Sequence, residues 1–187
     1  MNPNDVIAQA KTKLNSAVTH FEEELKKLRT GRAHGGMLDG LMVEAYGTPM
    51  PLNQVANVTA PEAQLLQITP FDPSNLAAIS AAIRESQSLG LNPSDDGHVI
   101  RVSIPPLTEE RRREITKQVG AKLEDCMISL RGIRHDTLDT FNEAKKDKDI
   151  GEDDAKRLSA QVEEAMGQAK AKAEAAAQAK EQEIMKV

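Results

Sequence analysis

Leu28-Arg29-Thr30-Gly31-Arg32-Ala33-His34-Gly35-Gly36 is the stretch that decides the fold. Before it, apolar residues recur at helical spacing; after it, glycines break the period and alternating segments follow. Its counterpart is Pro105-Pro106, beyond which helical spacing returns. A strand-rich body is thus inserted in a helical one and held by two crossings, so it can pivot but cannot drift away. Thr30, Gly31, Pro105 and Pro106 are the expected hinge, since glycine reaches backbone angles closed to other residues while proline fixes φ. That plan suits a device that spans distance and moves better than a pocket for a small substrate.

Working outward toward the N-terminus, Asn2 can cap a helix whose first turn holds Pro3 and Asp5, both suited to unpaired amides and the positive dipole end. Ile7 and Leu14 stand seven residues apart, and Val18, Phe21, Leu25 and Leu28 follow Leu14 at alternating gaps of four and three, the spacing of a bundle seam. Inside the insert, Leu41 to Tyr46 alternates with period two before a Gly47-Thr48-Pro49 turn. Gln54 to Thr59, Gln64 to Thr69 and His98 to Ile104 are further strand candidates, with Pro61 and Asp95-Asp96-Gly97 as turns. Asp72 and Pro73 open a short helix that carries Leu76, Ile79 and Ile83 on one face and stops by Gly90.

Past the prolines, Thr108 caps a helix with Glu109 and Glu110 in its first turn. Its seam of Ile115, Val119, Leu123, Cys126, Leu130, Ile133 and Phe141 implies about 36 residues, or roughly 54 Å at ~1.5 Å per residue. A break at Lys148-Asp149-Ile150-Gly151 precedes a third helix lined by Leu158, Val162, Ala165, Ala169, Ala173 and Ala176. The expected fold is α+β: an elongated, antiparallel three-helix bundle from residues 1–30 and 106–187, with a small β/α/β domain inserted at 31–105. The outline expected is an L.

At 187 residues the chain can build two apolar cores, and with 2% aromatics these must be aliphatic. The net charge of −5 is unevenly spread: residues 1–30 and 107–148 each carry +1, while 31–106 and 149–187 carry −4 and −3. Clustered charge rather than the sum sets the local field, so an acidic chain can still hold a phosphate site. The single cysteine, Cys126, suits a reducing compartment and reads as a packing residue on its helix's apolar stripe. No apolar run approaches a membrane span, and Met1-Asn2-Pro3 does not begin a signal sequence. A cytoplasmic monomer with no membrane contact is expected.

Enzyme signatures are nearly absent. Gly31 to Gly36 leads into a strand and lacks the Lys-Ser or Lys-Thr of a phosphate loop, and the four histidines are scattered, so no metal or other cofactor is expected. The most informative constellation is on the second helix, where Arg131, Arg134 and His135 fall within two turns and Leu130 and Ile133 occupy the seam. Guanidinium forks on a rigid helix suit phosphate oxygens. The alternative is a solvated charged face, with Asp136 and Glu124 in pairing reach. Arg111, Arg112, Arg113 and Lys117 read as neutralised by Glu109, Glu110 and Glu114. Without interleaved aromatics, any nucleic-acid contact would follow backbone and shape rather than base identity.

Several blocks resemble, in order and spacing, the bacterial ribosome recycling factors: Leu28 to Ala33, Leu38-Asp39-Gly40, Tyr46-Gly47-Thr48-Pro49, Leu89-Gly90-Leu91-Asn92-Pro93, Ile100-Arg101-Val102, Pro105 to Arg112, and Lys146 to Ile150 followed by Glu152-Asp153-Asp154. The match runs nearly end to end. It implies a protein in the outline of a transfer RNA that binds the 70S ribosome after termination. The bundle would lie on large-subunit ribosomal RNA, and elongation factor G with GTP would act on the smaller domain to split the subunits and release messenger and transfer RNA. No bond chemistry by the factor itself is implied. The family's RNA-contacting arginines map to Arg134 and Arg131, with Arg29 and Arg32 as further RNA-binding candidates. His135 stands where the family pattern has a second arginine, and is carried as a site residue; Leu138 stands where the pattern has asparagine. The competing reading is a helical scaffold or holdase that binds proteins, and it differs in salt dependence: phosphate contacts weaken steeply with salt, hydrophobic ones do not.

Overall fold

The structure, a computed structural model, describes residues 2–87 and 90–186, so Met1 and Leu89 of the segments above lie outside it. The chain divides into two compact units, Met1–Arg29 with Glu109–Lys186, and Thr30–Thr108.

The first unit is a three-helix bundle. Helix α1, Pro3–Lys26, begins where the Asn2 side chain accepts the Asn4 amide at 3.0 Å, and Pro3 fills the first position, where its missing N–H costs nothing. It ends at Lys26, short of the Thr30-Gly31 stop expected, so Leu28 is only half-buried. Ile7, Leu14, Val18, Phe21 and Leu25 are buried, and so is Ala10, too small to have stood out in the pattern. Helix α4, Glu109–Lys146, runs 38 residues; helix α5, Glu152–Met185, runs 34.

Side-chain meetings fix the helix directions. Ile7, Phe141, Leu158 and Val162 form one buried cluster, while Glu24 reaches Lys122 at 2.9 Å and Lys172 approaches Glu22 at 3.9 Å. Hence α1 and α5 run parallel and α4 runs against both. Ala169, Ala173 and Ala177 repeat every fourth residue on the buried side of α5, where small side chains let helices approach closely. The expected Ala165 and Ala176 flank that stripe, half-buried. Leu138 is half-buried against the Phe141 cluster, so it serves packing.

In the second unit, β1 (Met42–Ala45) and β2 (Thr48–Pro51) pair as a hairpin across Tyr46-Gly47. Both turn residues have positive φ, 54° and 79°, as a two-residue hairpin turn requires. Tyr46 adopts the unusual value while its hydroxyl donates to Asp72 Oδ2 at 2.8 Å. After a helical turn α2 (Leu52–Val55), strands β3 (Ala56–Glu62), β4 (Leu65–Pro70), β5 (Pro93–Asp95) and β6 (Ile100–Ser103) form an antiparallel sheet in the order β3-β4-β6-β5.

Three details differ from expectation. Residues 54 and 55 close a helical turn, so β3 starts at Ala56. Pro61 lies within β3 rather than in a turn; β3 is an edge strand whose pairing shifts between Thr59 and Glu62, which is where a residue without an N–H is tolerated. The short strand β5 is not among the expected strands, and its last residue, Asp95, falls in the expected Asp95-Asp96-Gly97 turn. Helix α3 (Leu76–Glu85) follows a single 3₁₀ turn capped by Asp72, which accepts the Ser74 amide at 3.0 Å. Ile79 and Ile83 are fully buried with Leu66, Ile68, Ile100 and Val102. Each such side chain contributes roughly 1.5–3 kcal/mol by burial.

The architecture is α+β, a bundle with a small β/α/β insert in chain order. Among the described residues no helix is long and apolar enough to cross a membrane.

Candidate functional site

Arg131, Arg134 and His135 share two turns of α4, and their partners differ. Arg131, 58% exposed, donates through Nη2 to Glu124 Oε1 at 2.5 Å, two turns back on its own helix. His135, 73% exposed, places Nε2 3.2 Å from Asp139 Oδ2, one turn on. Arg134 reaches across to α5. Its Nε donates to Glu163 Oε1 at 2.8 Å and its Nη2 binds the same oxygen. That contact holds the Glu163 carboxyl below its usual range and raises the arginine further, hydrogen bonding leading in each case and charge attraction adding to it.

Glu163 is the partner that sequence reasoning missed. Spacing along α4 offers only neighbours on α4. The available signal was the flank of two seams: Glu163 follows the buried Val162 as Arg134 follows Ile133, the arrangement that joins facing helices in coiled coils. The consequence for chemistry is a presented guanidinium. With Nε and Nη2 on one carboxylate oxygen, and 40% of the side chain exposed, the Nη1 edge of Arg134 remains for an outside acceptor.

Arg29 and Arg32 are exposed but not part of this cluster. Arg29 follows α1, whose last turns lie beside Lys122, and Lys122 is about 14 Å along the α4 axis from Arg131 at ~1.5 Å per residue. Arg32 belongs to the other unit. Of the expected hinge, Gly31 has φ +79°, and a Cβ there would sit 3.2 Å from Leu107 Cγ. Thr30 is buried; Pro105 and Pro106 are exposed. So Gly31 and Leu107 bring the two crossings side by side at a glycine that tolerates no side chain without strain.

His20, Asp125 and Cys126 line a groove between α1 and α4. The Cys126 thiol is 6% exposed, burial raises it above the usual cysteine range, and Sγ lies 3.8 Å from the Ala17 carbonyl oxygen. A thiol held protonated is a packing group rather than a nucleophile. Among the described residues no cluster of histidine, cysteine or carboxylate side chains could hold a metal.

A family model described as ribosome recycling factor matches residues 21–185. The ribosome-recycling factor of Halalkalibacterium halodurans is 44% identical over 183 residues, covering 98% of each chain. That of Mycobacteroides abscessus is 42% identical over 184 residues, covering 98% of this chain and 99% of the relative. A solution structure of the ribosome recycling factor superposes with TM-score 0.77 at 32% identity, covering 100% of this chain and 99% of that one. A second structure has TM-score 0.65 at 39% identity, covering 99% of this chain and 100% of that one. It presents models for the T. thermophilus ribosome recycling factor and the E. coli elongation factor G bound to the E. coli post-termination complex.

Proposed function

The chain belongs to the ribosome recycling factor family, and we propose that it acts on the ribosome after termination, binding the 70S particle through large-subunit ribosomal RNA. Elongation factor G with GTP then drives the inserted unit, and the subunits part with release of messenger and transfer RNA. The observation that carries this reading is the end-to-end match to a relative that is itself placed with elongation factor G on a post-termination complex. The factor works as a monomer in the cytoplasm and makes or breaks no bond.

Within that reading the cations divide the work. Arg134 and Arg131 engage phosphates along α4, because guanidinium forks on a rigid helix hold their geometry without further ordering. Glu163 and Glu124 keep those forks extended until phosphate oxygens replace them. Arg29 and Arg32 add contacts near the crossings, and His135 adds one beside Arg134. Motion between the units is taken up at Thr30, Gly31, Pro105 and Pro106. Gly31 is the compliant member, since its φ of +79° lies in a region glycine leaves and re-enters freely.

Cosedimentation with vacant 70S particles across 50–200 mM salt tests the binding step. A phosphate-bound factor loses affinity steeply as log salt rises, with a slope of about −0.9 per contact on duplex and about −0.7 on single strands. Salt-independent binding would instead favour a protein-binding holdase.

A further inference from the structure

Helix α4 carries a glycine that nothing inside the protein explains. Gly132 sits mid-helix, where glycine destabilises relative to alanine, yet a Cβ built there meets no atom within 4 Å. The usual reason for an interior glycine, close packing of the chain on itself, is therefore missing. Gly120 and Gly167 share that openness, so openness alone does not single out Gly132; its neighbours do. Ile128, one turn back on the same face, is 55% exposed, a large apolar side chain left in water on a charged helix. Arg131 and His135 complete the i, i+3, i+4, i+7 face. Four carboxylates border this face: Glu124 pairs with Arg131 and Asp139 with His135 from beyond its two ends, and the exposed Asp125 and Asp136 stand one turn from Ile128 and Gly132. From Ile128 to His135 the face runs about 10 Å at ~1.5 Å per residue, and none of its own residues is acidic, so the carboxylates reach it only from the border.

We propose that Ile128 and Gly132 form a close-approach seat for an RNA sugar–phosphate backbone, in which Gly132 admits the backbone to van der Waals distance of the helix and Ile128 packs on a ribose while Arg131 and His135 take the flanking phosphates. This rests on the reading that α4 faces ribosomal RNA, and adds that the face recognises shape through a missing side chain. Arginine forks alone tolerate a displacement of the helix by the width of a methyl group; a seat does not. Gly132 and Ile128 are thus positioning residues that set the depth at which the arginines meet their phosphates.

The test is the full-length Gly132→Ala variant, one methyl group larger, measured on purified large subunits and by thermal melting. Alanine improves helix propensity, so the melting temperature should rise by about 2–5 °C. Affinity for the subunits should fall by about tenfold, the cost of overfilling a packed contact. A gain in stability with a loss in binding cannot come from misfolding. Gly120→Ala makes the same change twelve residues away and about 120° around the helix; it should raise the melting temperature and leave binding unchanged. Arg134→Ala separates the seat from the reading beneath it. If Arg134→Ala weakens binding while Gly132→Ala binds as wild type, or if Gly132→Ala and Gly120→Ala lose equally, the seat is overturned and the RNA face stands. If Arg134→Ala also binds as wild type, the RNA face fails and the seat with it.

Discussion

Replacing Arg134 with alanine separates what this side chain does for the bundle from what it does for binding. Its fork holds Glu163 of α5 from α4, with Nε at 2.8 Å, but the two side chains are 40% and 49% exposed. A pair so accessible contributes about 0.2–1 kcal/mol, so the melting temperature should fall by no more than about 2–5 °C. A charged hydrogen bond to an RNA phosphate is worth roughly 1.5–3 kcal/mol, which is about a 10- to 140-fold loss of affinity at 1.4 kcal/mol per factor of ten. The logarithmic salt slope should flatten by about 0.7–0.9 as one phosphate contact disappears. Glu163→Gln perturbs the other half of the same pair and should act in the opposite direction: the fork loses its competing carboxylate, and binding to large subunits tightens by a few-fold. Cosedimentation with large subunits from 50 to 200 mM salt, beside thermal melts, reads all four quantities. If both variants weaken binding in proportion to lost stability, Arg134 is a bundle residue and the RNA assignment is wrong.

Three further outcomes follow from particular contacts. The Glu24 carboxyl is lowered to about 2 by hydrogen bonds from Lys27 and Lys122. A depressed carboxyl stabilises the fold above its unfolded value near 4.5 and loses that contribution as pH falls toward 2, so Glu24→Gln should flatten the pH dependence of urea unfolding in that window; an unchanged profile would show the contact carries nothing. Gly31→Ala should lower the urea midpoint by the equivalent of about 1–2 kcal/mol, because alanine at φ +79° is strained and its Cβ crowds Leu107, and a midpoint equal to wild type would mean the crossing relaxes without cost. His135→Arg puts a permanently charged guanidinium fork where the imidazole stands, so ribosome binding should tighten by roughly 0.5–2 kcal/mol. Identical affinities for the two would assign His135 to its Asp139 contact alone.

How far the sequence could be read depended on whether a residue's partner was near it along the chain. Asn2 and Asp72 act on neighbours a few residues away and could be assigned from local chemistry; the hairpin was legible too, but its turn falls at Tyr46-Gly47, one residue before the expected Gly47-Thr48-Pro49, because Thr48 and Pro49 already pair in β2. The seam of α1 and most of that of α4 were legible because large aliphatic side chains mark a period, though Leu123 and Ile133 are only half-buried and Met127 is buried instead, whereas Ala10 and Ala177 are buried without marking a period. Pro61 misled because proline usually ends a strand; only the sheet order shows that β3 is an edge, where proline is permitted. Of the candidate site, the arginines and the on-helix carboxylate Glu124 were legible, and Glu163 on the facing helix was not. Glu163 lies 29 residues from Arg134 along the chain, and its pairing depends on the facing of α4 and α5, which spacing within either helix does not specify.

The central claim is that this chain splits ribosomes as a partner of elongation factor G, and light scattering from purified 70S particles tests it most directly. With the chain, elongation factor G and GTP together, scattering should fall as subunits separate; with any one of the three omitted, or with a non-hydrolysable GTP analogue in place of GTP, it should hold. Splitting by the chain alone, or unchanged scattering with all three present while the chain remains bound, would contradict the account.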